Sequence, residues 1–120
     1  MIIGVISDVH ANVIALEAAL TAMKRRGVDT VVCLGDLVGY GPAPNETLDL
    51  IRSEHVMCTM GAADERLAYG FAASGKRRRG VADDILAWAL GSPEPRHLTF
   101  LRDLPVPKRL PTPVRWPPFF

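Results

Sequence analysis

The chain has 120 residues, which suits one domain and is small for an α/β enzyme. With 48% hydrophobic and 22% charged residues it has a globular composition, and its net charge of +1 gives no strong attraction to nucleic acid or anionic membrane. No apolar stretch approaches the roughly 18 residues needed to cross a bilayer, and the N-terminus lacks the basic n-region of a signal peptide.

In chain order, residues 2–6, IIGVI, are a β-branched apolar run that reads as a strand buried on both faces. Ser7-Asp8-Val9-His10 ends it. Asn12 then caps a helix predicted to run through Arg26, with Val13, Leu16, Leu20 and Met23 on one face and Lys24, Arg25 and Arg26 at its C-terminus. A second strand, Thr30–Leu34, stops at Gly35-Asp36 and a glycine-rich turn. Pro44 opens a helix to about Arg52. A third strand, His55–Met60, leads into the turn Gly61-Ala62-Ala63-Asp64. Residues 70–80, GFAASGKRRRG, read as a surface loop with a solvated basic run, Lys76 to Arg79. Val81–Leu90 reads as a helix ending at Gly91, and Ser92-Pro93-Glu94 opens another that reaches about Asp103.

Strand–helix–strand–helix–strand with short loops is the pattern of a parallel sheet. After Leu104 the pattern breaks: six of the ten prolines fall in 105–118, where no helix can form. The cysteines, Cys33 and Cys58, fall in the expected strands. They read as small core residues of a cytoplasmic protein rather than a disulfide framework.

Parallel α/β sheets bind ligands outside the carboxyl ends of their strands. Here each strand delivers an acid to that edge: Asp8 with His10, then Asp36, then Asp64. Carboxylates and an imidazole gathered at one edge suit a divalent cation with oxygen and nitrogen ligands. Asp-x-His would set both side chains on one side of an extended segment. The structural alternative is that these acids only form turns and caps, Asp64 being a natural helix N-cap. For Tyr40 the readings are packing over the loop, or contact with substrate.

The motifs Asp8-Val9-His10, Gly35-Asp36-Leu37-Val38-Gly39-Tyr40-Gly41-Pro42 and Gly61-Ala62-Ala63-Asp64 together resemble those of the calcineurin-like metallophosphoesterases, small bacterial and archaeal phosphodiesterases in particular. The resemblance covers residues 1 to about 105. It implies the N-terminal part of a four-layered αββα sandwich and a metal-activated water that hydrolyses phosphate mono- or diesters. By the same resemblance Asp8 and His10 bind one metal, Asp36 bridges two, and Asp64 orients the neighbouring machinery. Mn²⁺ is the expected ion, with Fe²⁺, Ni²⁺, Zn²⁺ or Mg²⁺ as alternatives. The expected partner is a phosphate ester, with no specific nucleic acid and no membrane.

The sequence departs from that family in two ways. Ala62 and Ala63 stand where the family has Asn and His, so a metal ligand and a proton donor are lost. The later Gly-x-His and Gly-His-x-His motifs are absent, and His55 and His97 lack their glycine context. At most one weak metal site is therefore expected. Residues 1–104 are expected to form a partial domain, with 105–120 the mark of a truncation or frameshift. A dinucleotide-binding fold would want G-x-G-x-x-G after the first strand, and a phospho-acceptor receiver an acidic pair there; neither is present. The competing reading is a catalytically dead interaction module that keeps the fold.

Overall fold

A computed structural model describes residues 1–70 and 80–106. The basic run Lys76 to Arg79 and residues 107–120 of the proline-rich tail lie outside the described residues. The elements are β1 (Ile3–Ile6), α1 (Val13–Arg25), β2 (Thr30–Cys33), α2 (Pro44–Ser53), β3 (Met57–Cys58), α3 (Ala62–Tyr69), α4 (Val81–Leu90) and α5 (Pro95–Asp103). The strands are parallel in the order β1-β2-β3, with Ile6 opposite Cys33 and Cys33 opposite Cys58. The expected parallel α/β arrangement is present.

Local chemistry explains most element boundaries. Asn12 accepts from the Ala15 N–H at 3.0 Å and caps α1. Pro44 stands at the start of α2, where its missing N–H costs nothing. Glu94 is the N-cap of α5, and Pro95 opens it. Leu16 and Leu20 of α1, Leu48 and Ile51 of α2, Leu67 of α3, Leu86 of α4 and Leu101 of α5 form one core. That core lies against the sheet face bearing Ile6, Cys33 and Cys58. Each fully buried leucine or isoleucine contributes about 1.5–3 kcal/mol of transfer free energy.

Three expectations need correction. First, β1 is not buried on both faces: Ile3 and Val5 are 52% and 57% exposed, as is Met57 at 56%. Among the described residues the helices cover the other face alone, where Gly4 lets Met23 of α1 approach the sheet. Second, the third strand does not begin at His55. His55 has φ +53° and its N–H donates to the Arg52 carbonyl oxygen, so it closes the C-terminus of α2, and only Met57 and Cys58 pair with β2. Third, the residues from Ala62 onward are a helix, not only a turn.

Candidate metal centre

Asp8 and His10 follow β1 and Asp36 follows β2, so all three reach the carboxyl edge of the sheet. One donor atom from each lies within 4.8 Å of the others. His10 Nε2 is 3.6 Å from Asp8 Oδ1, and His10 Nδ1 is 3.4 Å from the Val38 carbonyl oxygen. The Tyr40 ring stands edge-on to His10, with centroids 5.0 Å apart and planes at 78°. Tyr40 therefore packs on a site residue while remaining 45% exposed.

The convergence does not come from strand alternation, as the Asp-x-His spacing had suggested. Asp8 (φ 56°), His10 (φ 48°), Ala11 (φ 57°) and Asp36 (φ 54°) all occupy the left-handed region. Non-glycine residues reach it at a cost of order 1 kcal/mol or more each, and such residues gather at functional sites. Backbone bonds hold them there. The His10 N–H donates to the Asp36 carbonyl oxygen at 2.9 Å, the Ala11 N–H to Leu37 at 2.9 Å, and the Asp8 N–H to Gly35 at 3.1 Å.

The third strand end braces the second. Asp36 Oδ1 accepts from the Ala63 N–H at 2.8 Å. Asp64 Oδ1 accepts from Leu37 and Val38 N–H groups at 2.9 and 3.1 Å, and its Oδ2 from Gly61 N–H at 2.9 Å. Asp64 thus sits in the first turn of α3, whose N-cap is Gly61, rather than being the cap itself. Its donor atoms do not join the Asp8–His10–Asp36 cluster. Burial pushes its carboxyl up to about 6, a rise that the nearby Asp36 charge reinforces and the three N–H donors oppose. The glycines serve this contact between loops. A Cβ on Gly35 (φ +112°) would lie 2.6 Å from the Gly61 nitrogen.

The remaining residues fall as follows. Ala62 is exposed and Ala63 buried, and neither side chain carries a donor or acceptor. His55 is exposed in its turn, and His97 is wholly buried on α5 with Nε2 3.4 Å from Asp49 Oδ1. Sequence reasoning missed the Ala63 N–H, the Gly35–Gly61 contact and the set of bonds made by Asp64. The only signal in the sequence was the run of small residues before Asp64.

Two carboxylates and an imidazole within 4.8 Å, held by strained backbone, form a donor set that could hold a divalent metal. The comparisons agree with that arrangement. A family model for calcineurin-like phosphoesterase matches residues 1–111. The chain belongs to that family, whose members are metal-dependent hydrolases. An uncharacterised protein of Methanocaldococcus jannaschii is 48% identical over 62 residues, 52% of this chain and 26% of that protein. The crystal structure of a metallophosphoesterase from Sphaerobacter thermophilus is 38% identical, with a TM-score of 0.68 over 86% of this chain and 41% of that one. A hypothetical protein from Pyrococcus horikoshii, 24% identical, shares the fold with a TM-score of 0.73 over 88% of this chain and 48% of its own. The chain therefore spans less than half the length of these relatives.

Proposed function

We propose that this chain carries the metal-binding strand ends of a phosphoesterase that hydrolyses phosphate mono- or diesters. One observation carries the reading: the donor atoms of Asp8, His10 and Asp36 converge within 4.8 Å at the carboxyl edge of a parallel sheet. In this reading Asp8, His10 and Asp36 hold a divalent ion, and Asp36 also faces a second metal position. Mixed oxygen and imidazole donors favour Mn²⁺ or Fe²⁺, and Ni²⁺, Zn²⁺ and Mg²⁺ are the competitors to compare. When bound, the ion supplies Lewis-acid activation of water and neutralises charge on the phosphate. Asp64 acts through the backbone by fixing Leu37 and Val38, and so the aim of Asp36.

Activity is weak or absent in this chain, because Ala62 and Ala63 supply no second-site ligand or proton donor. We place the family-like part at residues 1–104, as one portion of a larger αββα domain. The exposed sheet face and the length of the relatives support this, though the family match runs on to residue 111.

Ala62 and Ala63 also favour a second reading, an interaction module that has lost its metals. Calorimetry with Mn²⁺ separates the two. The phosphoesterase reading expects one weak equivalent, weakened further by Asp8→Asn, and turnover of bis-p-nitrophenyl phosphate near background. Ala62→Asn should raise turnover once the rest of the domain is supplied. No metal binding at all would favour the interaction module, and two tight ions per chain would contradict the account of the lost ligands.

A further inference from the structure

Cys33 and Cys58 stand directly opposite each other in the parallel β2–β3 ladder, so both side chains project from the same sheet face. Adjacent strands run about 4.8 Å apart, inside the Cα separation of about 4.4–6.8 Å that disulfides use. The two are free thiols: Cys58 donates to the Val56 carbonyl oxygen at 3.4 Å and Cys33 to that of Gly35 at 3.8 Å. Cys33 is wholly buried, whereas Cys58 is only partly covered and lies on a two-residue strand.

We infer that Cys33 and Cys58 are a peroxide-sensitive dithiol that closes to a disulfide beneath the proposed metal centre. The Cys58 thiolate displaces hydroxide from hydrogen peroxide and becomes a sulfenic acid. The Cys33 thiolate then attacks that sulfur. The S–S bond forms, the S–O bond breaks and hydroxide leaves, to be protonated. Two thiols and one peroxide give one disulfide and two waters. The first step uses the minor thiolate form of Cys58, whose thiol the neighbouring Cys33 and burial push up, so closure is expected to be slow near neutral pH and faster in alkali.

The pair connects to the site through one carbonyl. The Cys33 thiol points at the Gly35 carbonyl oxygen at 3.8 Å, the same oxygen that accepts the Asp8 N–H at 3.1 Å. Oxidation removes the thiol donor from that oxygen. It also cross-links β2 to β3 next to the Gly35–Gly61 contact, which leaves no room for a Cβ. This coupling rests on the metal reading proposed above, whereas the disulfide itself does not.

The test treats the chain with hydrogen peroxide and reads intact mass and non-reducing peptide maps. The expected result is an intramolecular Cys33–Cys58 link, lighter by two hydrogens and reversed by dithiothreitol. Cys33→Ser should instead leave a dimedone-reactive sulfenic acid at Cys58. Over-oxidation of Cys58 alone, or only intermolecular links, would overturn the disulfide. Mn²⁺ titration of both forms then tests the coupling, with roughly tenfold weaker binding expected on oxidation. Equal affinity would overturn the coupling. Absence of Mn²⁺ binding in both forms would overturn the coupling together with the phosphoesterase reading, while the mass result would still decide the disulfide.

Discussion

Asp64 has no exposed surface, yet its carboxyl group accepts three backbone N–H bonds from two loops. Unfolded, such an acid titrates near about 3.9; folded, burial raises it to about 6. The folded state therefore holds the proton more tightly. The stability this group contributes is full below a pH of about 4 and is lost as pH rises through about 6, a change on the order of 2–3 kcal/mol. Asp64→Asn should remove much of that slope from urea unfolding curves recorded between pH 4 and 7. At acid pH the same change should cost about 1–3 kcal/mol, because an amide nitrogen faces N–H groups that an oxygen had satisfied. An unchanged pH slope in the variant would show that another group sets it.

Among the elements, the junction of α2 with the α4–α5 turn depends on one side chain. Asn45 donates from Nδ2 to the Ser92 carbonyl oxygen at 3.0 Å and accepts at Oδ1 from the Glu94 N–H at 2.9 Å. Arg96 adds a two-pronged contact to Asp49 at 2.6 and 2.9 Å, but that pair is exposed and screened by water. Asn45→Ala should therefore cost more than Arg96→Ala. About 1–2 kcal/mol is expected for Asn45, since two backbone groups lose their partner. Chemical denaturation of both variants measures the difference, and equal losses would mean the turn is held by helix packing instead. The same scale explains the shortened third strand. The apolar residues after His55 look like a longer run, but His55 closes α2 in a left-handed turn and Val56 N–H bonds back to Ile51. Beyond β3, the Met60 N–H donates to the Pro105 carbonyl oxygen at 2.9 Å, so the chain leaving α5 runs beside the strand's end.

At the scale of the molecule, the described residues cover the sheet on one side. Val5, Val32 and Met57 lie in one row across the three strands, and Val5 and Met57 are 57% and 56% exposed. Between the end of β1 and α1, a cavity of about 290 Å³ opens beside Asp8, with Ile6, Leu16 and Ala19 in its walls. An open apolar face of this kind marks a contact surface or an aggregation liability. Met57→Lys should change the stability of this chain by no more than about 0.5 kcal/mol, as for other exposed positions. It should also reduce self-association in sedimentation runs. A loss of about 2 kcal/mol or more would mean that the face is already buried in an oligomer.

Sequence alone determined the alternation of strand and helix, the cap at Asn12, the helix starts at Pro44 and at Ser92-Pro93-Glu94, and the delivery of Asp8, His10 and Asp36 to one sheet edge. These follow from local rules: apolar period, capping chemistry and the shared direction of parallel strands. Only tertiary structure decided how the ligand atoms meet. Left-handed backbone at Asp8, His10 and Asp36 is held by bonds from Asp8 to Gly35 and from His10 to Asp36 that no local pattern encodes. The same holds for Asp64, whose partners Leu37 and Val38 lie 27 and 26 residues away, and for the facing of Cys33 and Cys58, which depends on strand register. Register is a property of two strands together, so neither cysteine announces its neighbour in its own stretch of chain.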